Sequence, residues 1–267
     1  MMDRRGFMAA TGLGGLAAVG ATQAQAQESS DGDSGSGREV YELRTYHFET
    51  EEQVAAFDTF MEEAAIPALN RIGIQNVGVF KDGKGKDISP VYVLLTHPNA
   101  ESVVTMTQRI GEDYDFGADG ADFLMAPAES PAYTRIESSL FLAFEGMPKM
   151  AIPSTAEGRV FQLRIYESPS VVTGQKKIEM FNTAEIDIFN KTGLDAVFFG
   201  EAIIGDKMPN LTYMLGFDSM KDQKAAWKAF IAHPEWEELS SRPEYADDKI
   251  LSNITNIPLV PASYSQV

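Results

Sequence analysis

From Val40 to His47 apolar and polar side chains alternate, the period-two pattern of a strand with two unlike faces. Tyr41, Leu43 and Thr45 share one face; Glu42, Arg44 and Tyr46 share the other. The period then changes. Thr50-Glu51-Glu52-Gln53 reads as a capping box, with the threonine oxygen on free backbone amides and the glutamine reaching back. Val54, Phe57, Met61, Ala64, Ala68 and Ile72 follow at helical spacing. Pro67 is expected to bend this helix, because it lacks an amide proton and crowds the preceding turn. Gly73 is expected to stop it in the left-handed conformation. Strands are predicted at Ile74 to Phe80 and Val91 to Thr96, joined across the turn-forming DGKGKD. A second helix is predicted after Asn99, and a last strand near Ile136 to Phe144.

The same order recurs further along the chain. YELRTY (Tyr41 to Tyr46) returns as FQLRIY (Phe161 to Tyr166), an offset of 120 residues. At that offset Leu43, Arg44 and Tyr46 meet Leu163, Arg164 and Tyr166, and Ala64, Ile66, Asn70 and Gly73 meet Ala184, Ile186, Asn190 and Gly193. Val77 and Leu95 meet Val197 and Leu215. Chance matches scatter over many offsets, so one shared offset marks a duplication. In the second copy Ile178, Phe181 and Ile188 form the helical stripe and Gly193 ends it. Strands are predicted at Leu194 to Phe199, Leu211 to Phe217 and near Ile250 to Ile257, and Ser219 caps a helix carrying Ala226, Trp227 and Phe230.

Each copy therefore reads β-α-β-β-α-β, the ferredoxin-like split unit. Residues 38–146 form the first domain, 147–158 the join flagged by Pro148 and Pro153, and 159–267 the second domain.

Composition narrows the chemistry. Cysteine is absent, which removes disulfides and thiolate metal sites. The formal charge of −17 repels phosphate backbones and anionic lipid, so nucleic acid is not an expected partner. Asp3-Arg4-Arg5-Gly6-Phe7-Met8, a weakly apolar run from Ala9 to Ala21 and the small-x-small Ala24-Gln25-Ala26 resemble a twin-arginine export signal over residues 1–26. The apolar run is too short for a membrane span. Residues 27–37 contain the polar ESSDGDSGSG, a flexible linker. The expectation is a periplasmic protein with no stable membrane insertion once the signal is removed.

With the repeat in view, the chain resembles the NIPSNAP family. The carriers are YELRTY and FQLRIY, the helix-ending N-x-x-G of each half, AFIAHPEWEEL and the closing LVPASYSQV. The resemblance implies an α+β fold in which two tandem ferredoxin-like βαββαβ units form a dimeric α+β barrel. Here both units lie on one polypeptide, so the barrel would close intramolecularly. A further homo-oligomer is left open. The family has no agreed chemistry, so the resemblance names no catalytic residue.

If the apolar face of each first strand covers its own helices, the other face points into the barrel shared by the two halves. Glu42, Arg44, Tyr46, Gln162, Arg164 and Tyr166 are then the candidate ligand-binding residues, set around the barrel interior. One reading makes them a binding site for a small molecule, with an anionic one suited to planar guanidinium forks and tyrosine donors. The other makes them structural, each arginine paired with a carboxylate because a buried charge needs a partner. A cofactor-independent or haem-dependent oxidoreductase of monooxygenase type, and a non-catalytic structural or partner-binding module, are the alternative functions.

No cofactor is expected, non-covalent haem being the alternative; covalent haem would need cysteines. His47 falls by the same parity on the helix-facing side, His97 in a turn before Pro98, and His233 where Pro234 interrupts a helix. They share no metal-ligand spacing, so no metal site is expected. EDYDFGADGAD carries Asp113, Asp115, Asp119 and Asp122, but Ala118 stands where a calcium loop needs glycine and no closing glutamate follows, so a solvated acidic loop is expected. Trp227 and Trp236 read as core.

Overall fold

The computed structural model describes residues 37–86 and 88–267. The export-signal segment, and all of the linker but Gly37, lie outside the described residues. Among the described residues eight strands run in chain order as β1 (Val40–His47), β2 (Gly78–Asp82), β3 (Val91–His97), β4 (Arg135–Ala143), β5 (Val160–Glu167), β6 (Ala196–Ile204), β7 (Asn210–Phe217) and β8 (Asn253–Pro261). They close into one antiparallel barrel in the order β1-β3-β2-β8-β5-β7-β6-β4. Each half contributes four consecutive strands, and the seams between halves are β2–β8 and β4–β6.

The helices follow the same duplication. In the first half α1 (Glu51–Thr59) runs through a π-helical turn, Phe60–Ala65, into α2 (Ile66–Arg71). Then come α3 (Ala100–Gly111), α4 (Tyr114–Asp119) and α5 (Ala121–Leu124). The second half repeats this with α6 (Val171–Met180), a π-helical turn at Phe181–Glu185, α7 (Ile186–Thr192), α8 (Met220–Ile231), α9 (Pro234–Ser240) and α10 (Asp247–Ile250). The capping box of Thr50 and Gln53 is formed, Asn99 and Ser219 cap α3 and α8, and Gly73 and Gly193 take φ of 86° and 77°.

Pro67 is not what disturbs the first helix. Asp187 holds the matching position in the second half, yet a π-helical turn precedes it too. Pro67 instead follows directly on the π-helical turn, at the second residue of α2. The acidic segment is not a loop either: Asp113 caps α4 by accepting from the Phe116 amide, and its carboxylate receives Arg71 Nε at 2.6 Å and Nη2 at 2.8 Å.

Three apolar clusters result. One belongs to the barrel interior and draws on both halves, including Tyr41, Leu43, Phe80, Phe141, Phe161, Leu163, Phe198 and Met214. The other two lie between each half's outer sheet face and its helices. Phe57, Phe60, Leu69 and Val93 belong to the first, and Phe181, Phe189, Tyr213 and Phe230 to the second.

The expected facing is therefore reversed. Tyr41, Leu43 and their echoes fill the barrel, while Glu42, Arg44, Tyr46, Gln162, Arg164 and Tyr166 lie under the helices. A closed barrel's lumen is filled by its own strand side chains, with no helix to cover it, so it claims the more apolar alternate set. The outer face is covered by helices that bring apolar side chains of their own and leaves room for polar groups at their edges.

Candidate functional site

The two arginines occupy separate places. Arg44 donates from Nε to Glu42 Oε1 at 2.8 Å and from Nη2 to Glu42 Oε2 at 3.0 Å, a two-pronged ion pair. Ser138 on β4 adds a third donor to Glu42 Oε1 at 2.7 Å. Burial pushes the Glu42 carboxyl up, but the surrounding donors and the arginine charge outweigh it and hold it at about 2. His97 closes β3, fully buried rather than in a turn, with Nδ1 3.1 Å from Ser102 Oγ. Its Nε2 stands 3.9 Å from Glu42 Oε2, outside hydrogen-bond reach, so Arg44 and Ser138 are the direct partners of the carboxylate.

Beside this ion pair a cavity of about 370 Å³ opens between the first sheet and its helices. Arg44 and Tyr46 form part of its sheet wall with Val93 and Leu95. Leu69, Met106, Thr107 and Ile110 come from α2 and α3, and Phe60, Phe116, Phe123 and Tyr133 supply aromatic walls. Phe60 and Phe123 stack at 4.3 Å, and Tyr133 stands edge-on to Tyr46 at 5.9 Å. Thr107 and Gly111 are exposed at the entrance. The volume falls in the range of small-molecule pockets, roughly 300–1,000 Å³.

The matching space of the second half is filled. At the 120-residue offset Leu69, Val93, Thr107 and Ile110 become Phe189, Tyr213, Trp227 and Phe230, every one larger and packed in the second half's core, while Ile231, the counterpart of Gly111, stays exposed. The Trp227 ring lies 4.7 Å from the Arg164 guanidinium and its indole N–H donates to Gln162 Oε1 at 2.7 Å. Gln162 replaces Glu42, so Arg164 turns to donate to the Tyr166 hydroxyl at 3.2 and 2.8 Å, and Tyr166 accepts from Tyr213 at 3.0 Å. Deeper still, Lys177 and Glu185 pair at 3.0 Å with side chains 2% and 3% exposed, where the first half has Phe57 and Ala65. Burial raises the Glu185 carboxyl against the pull of Lys177.

None of the six predicted residues lines the barrel lumen. A second cavity of about 490 Å³ does open at one barrel mouth, between Thr45, His47 and Tyr92 of one half and Ile165, Lys207 and Thr212 of the other. His47 thus lies on the barrel side, 3.4 Å from Glu137, and not on the helix side. His233 precedes α9 at its N-terminus. Among the described residues no group of three or more histidine, aspartate or glutamate side chains is placed to hold a metal ion. Sequence reasoning found Arg44 and Tyr46 but missed the helix wall. Its signal was present in the size differences between the two copies.

Fold and pseudo-twofold clefts define the class: a dimeric α+β barrel closed within one chain, flanked by helices on both sheets. The NIPSNAP family model matches residues 161–266, which is nearly all of the second half. A putative monooxygenase from Lactobacillus acidophilus NCFM is 10% identical, with 84% of this chain and 94% of that one covered at a TM-score of 0.55. A putative monooxygenase from Fusobacterium nucleatum is 7% identical over 84% and 93% of the two chains, also at 0.55. An uncharacterized NIPSNAP-like domain protein from Burkholderia xenovorans is 19% identical over 40% of this chain and 88% of that one, at a TM-score of 0.36. At such identities the first two show the fold alone. A search of curated protein sequences finds no match.

Proposed function

We propose that this protein binds a small, mainly apolar molecule in the first half's cleft, between Arg44 and Tyr46 of the sheet and the helices above. The carrying observation is the contrast between the two clefts of one duplicated fold. The second is filled by four larger side chains, Phe189, Tyr213, Trp227 and Phe230, while the first keeps an aromatic-walled space with an arginine at its base. An unfilled cavity costs stability, of order 24 cal/mol per Å³ where core atoms are lost. Keeping it open on one side only fits a ligand site better than a packing defect.

The Arg44 charge is already balanced by Glu42, so a neutral head such as a carbonyl or hydroxyl suits the site better than a carboxylate. Thermal shift against small apolar alcohols, ketones, phenols and carboxylates tests the reading. A saturable rise in Tm is expected in wild type and its loss in Ile110→Phe, which copies the second half. No rise with any of them, or a rise that survives in Ile110→Phe, defeats it.

The second reading is an oxygenase acting on that molecule, favoured by the fold shared with two putative monooxygenases. Oxygen consumption with a bound phenol, measured beside the visible spectrum, separates it from simple binding. A Soret band would bring haem into the account. No histidine is among the described residues lining the cleft.

A further inference from the structure

Resting on the cleft as a binding site, we propose further that its occupant is a planar aromatic molecule stacked on the face of the Arg44 guanidinium. The protein carries its own template for this. Trp227 and Thr107 hold the same position on α8 and α3, 120 residues apart. In the second half the indole fills the space between the sheet and α8, 4.7 Å from Arg164 and edge-on to Phe189 at 6.1 Å and Phe230 at 5.7 Å. In the first half the indole is absent, Leu69 and Ile110 stand in place of Phe189 and Phe230, and the cavity lies there.

Three features of the open cleft suit the same kind of ring. Arg44 has its edge engaged by Glu42 through Nε and Nη2, which leaves the flat face as the surface it can offer. The aromatic side chains around the cavity supply edges and faces for stacked and edge-to-face contacts. Met106, the counterpart of Ala226, brings a thioether to the wall, a group that packs well on rings. A saturated molecule of equal size would bury the same area without the cation–π and ring–ring contributions.

Isothermal titration with 2-naphthol and its saturated analogue decahydro-2-naphthol tests this at matched size. The expected result is one site per chain, with 2-naphthol bound about tenfold more tightly, and loss of both in Thr107→Trp, whose folding is checked by circular dichroism. Equal affinity for the two alcohols, with both lost in Thr107→Trp, overturns the aromatic assignment while leaving the cleft as the site. Binding that persists in Thr107→Trp, or no binding of either alcohol by wild type, overturns the proposal outright. Trp227→Ala gives an independent reading of the template: indole should restore its Tm and cyclohexanol should not. Restoration by both alike counts against arginine–aromatic stacking as the selecting contact.

Discussion

Glu42 and Lys177 show how differently one duplicated position set can be used. Glu42 is held at about 2 in the folded chain against an ordinary value of 4.5. A depressed carboxyl contributes stability that is full above the unfolded value and lost as pH falls through the folded one. Stability should therefore fall as the pH is lowered from 4.5 toward 2. Chemical denaturation across that window should show a shallower loss in Glu42→Gln, and parallel curves would contradict the assignment. The buried Lys177–Glu185 pair has an apolar counterpart in Phe57 and Ala65. Lys177→Met alone should cost about 3–5 kcal/mol by stranding Glu185, whereas Lys177→Phe with Glu185→Ala should recover most of it. Equilibrium denaturation of the two variants decides, and equal losses would mean the pair is not what matters there.

At the scale of elements, the caps, stripes and stops were legible because each is a local rule about backbone groups or periodicity. Gly73 is one case: at φ 86° nothing crowds a Cβ, so Gly73→Ala pays only the left-handed penalty, about 1–2 kcal/mol. A Tm unchanged within error would show that the turn relaxes. The π-helical turns were not legible. They occur at the same place in both copies with Pro67 in one and Asp187 in the other, so no single residue announces them. The helices within EDYDFGADGAD were missed for a related reason. Aspartate density suggested solvent, yet Phe116 between those aspartates and Phe123 directly after them turn inward and wall the cleft.

The whole molecule adds the dependence of each half on the other. β2 and β4 each pair inside their own half on one edge, with β3 and β1, and find the partner of their other edge only in β8 and β6; the lumen is filled by side chains from both sheets. Residues 38–146 expressed alone should pair with themselves or aggregate, since two strand edges and an apolar face are uncovered. A stable monomer in sedimentation would contradict a shared barrel. The proposed export rests on the N-terminal sequence, and Arg4→Lys with Arg5→Lys should hold the precursor in the cytoplasm; normal periplasmic levels would refute it. By itself the sequence determined the duplication, the order of strands and helices, their caps, and the two unlike faces of β1 and β5. Tertiary structure alone decided which face looks inward, because closing the barrel buries both faces and alternation cannot rank two buried environments. It also decided that one cleft is open and the other shut. That outcome is a difference in volume summed over side chains from distant elements, and no local pattern carries such a sum.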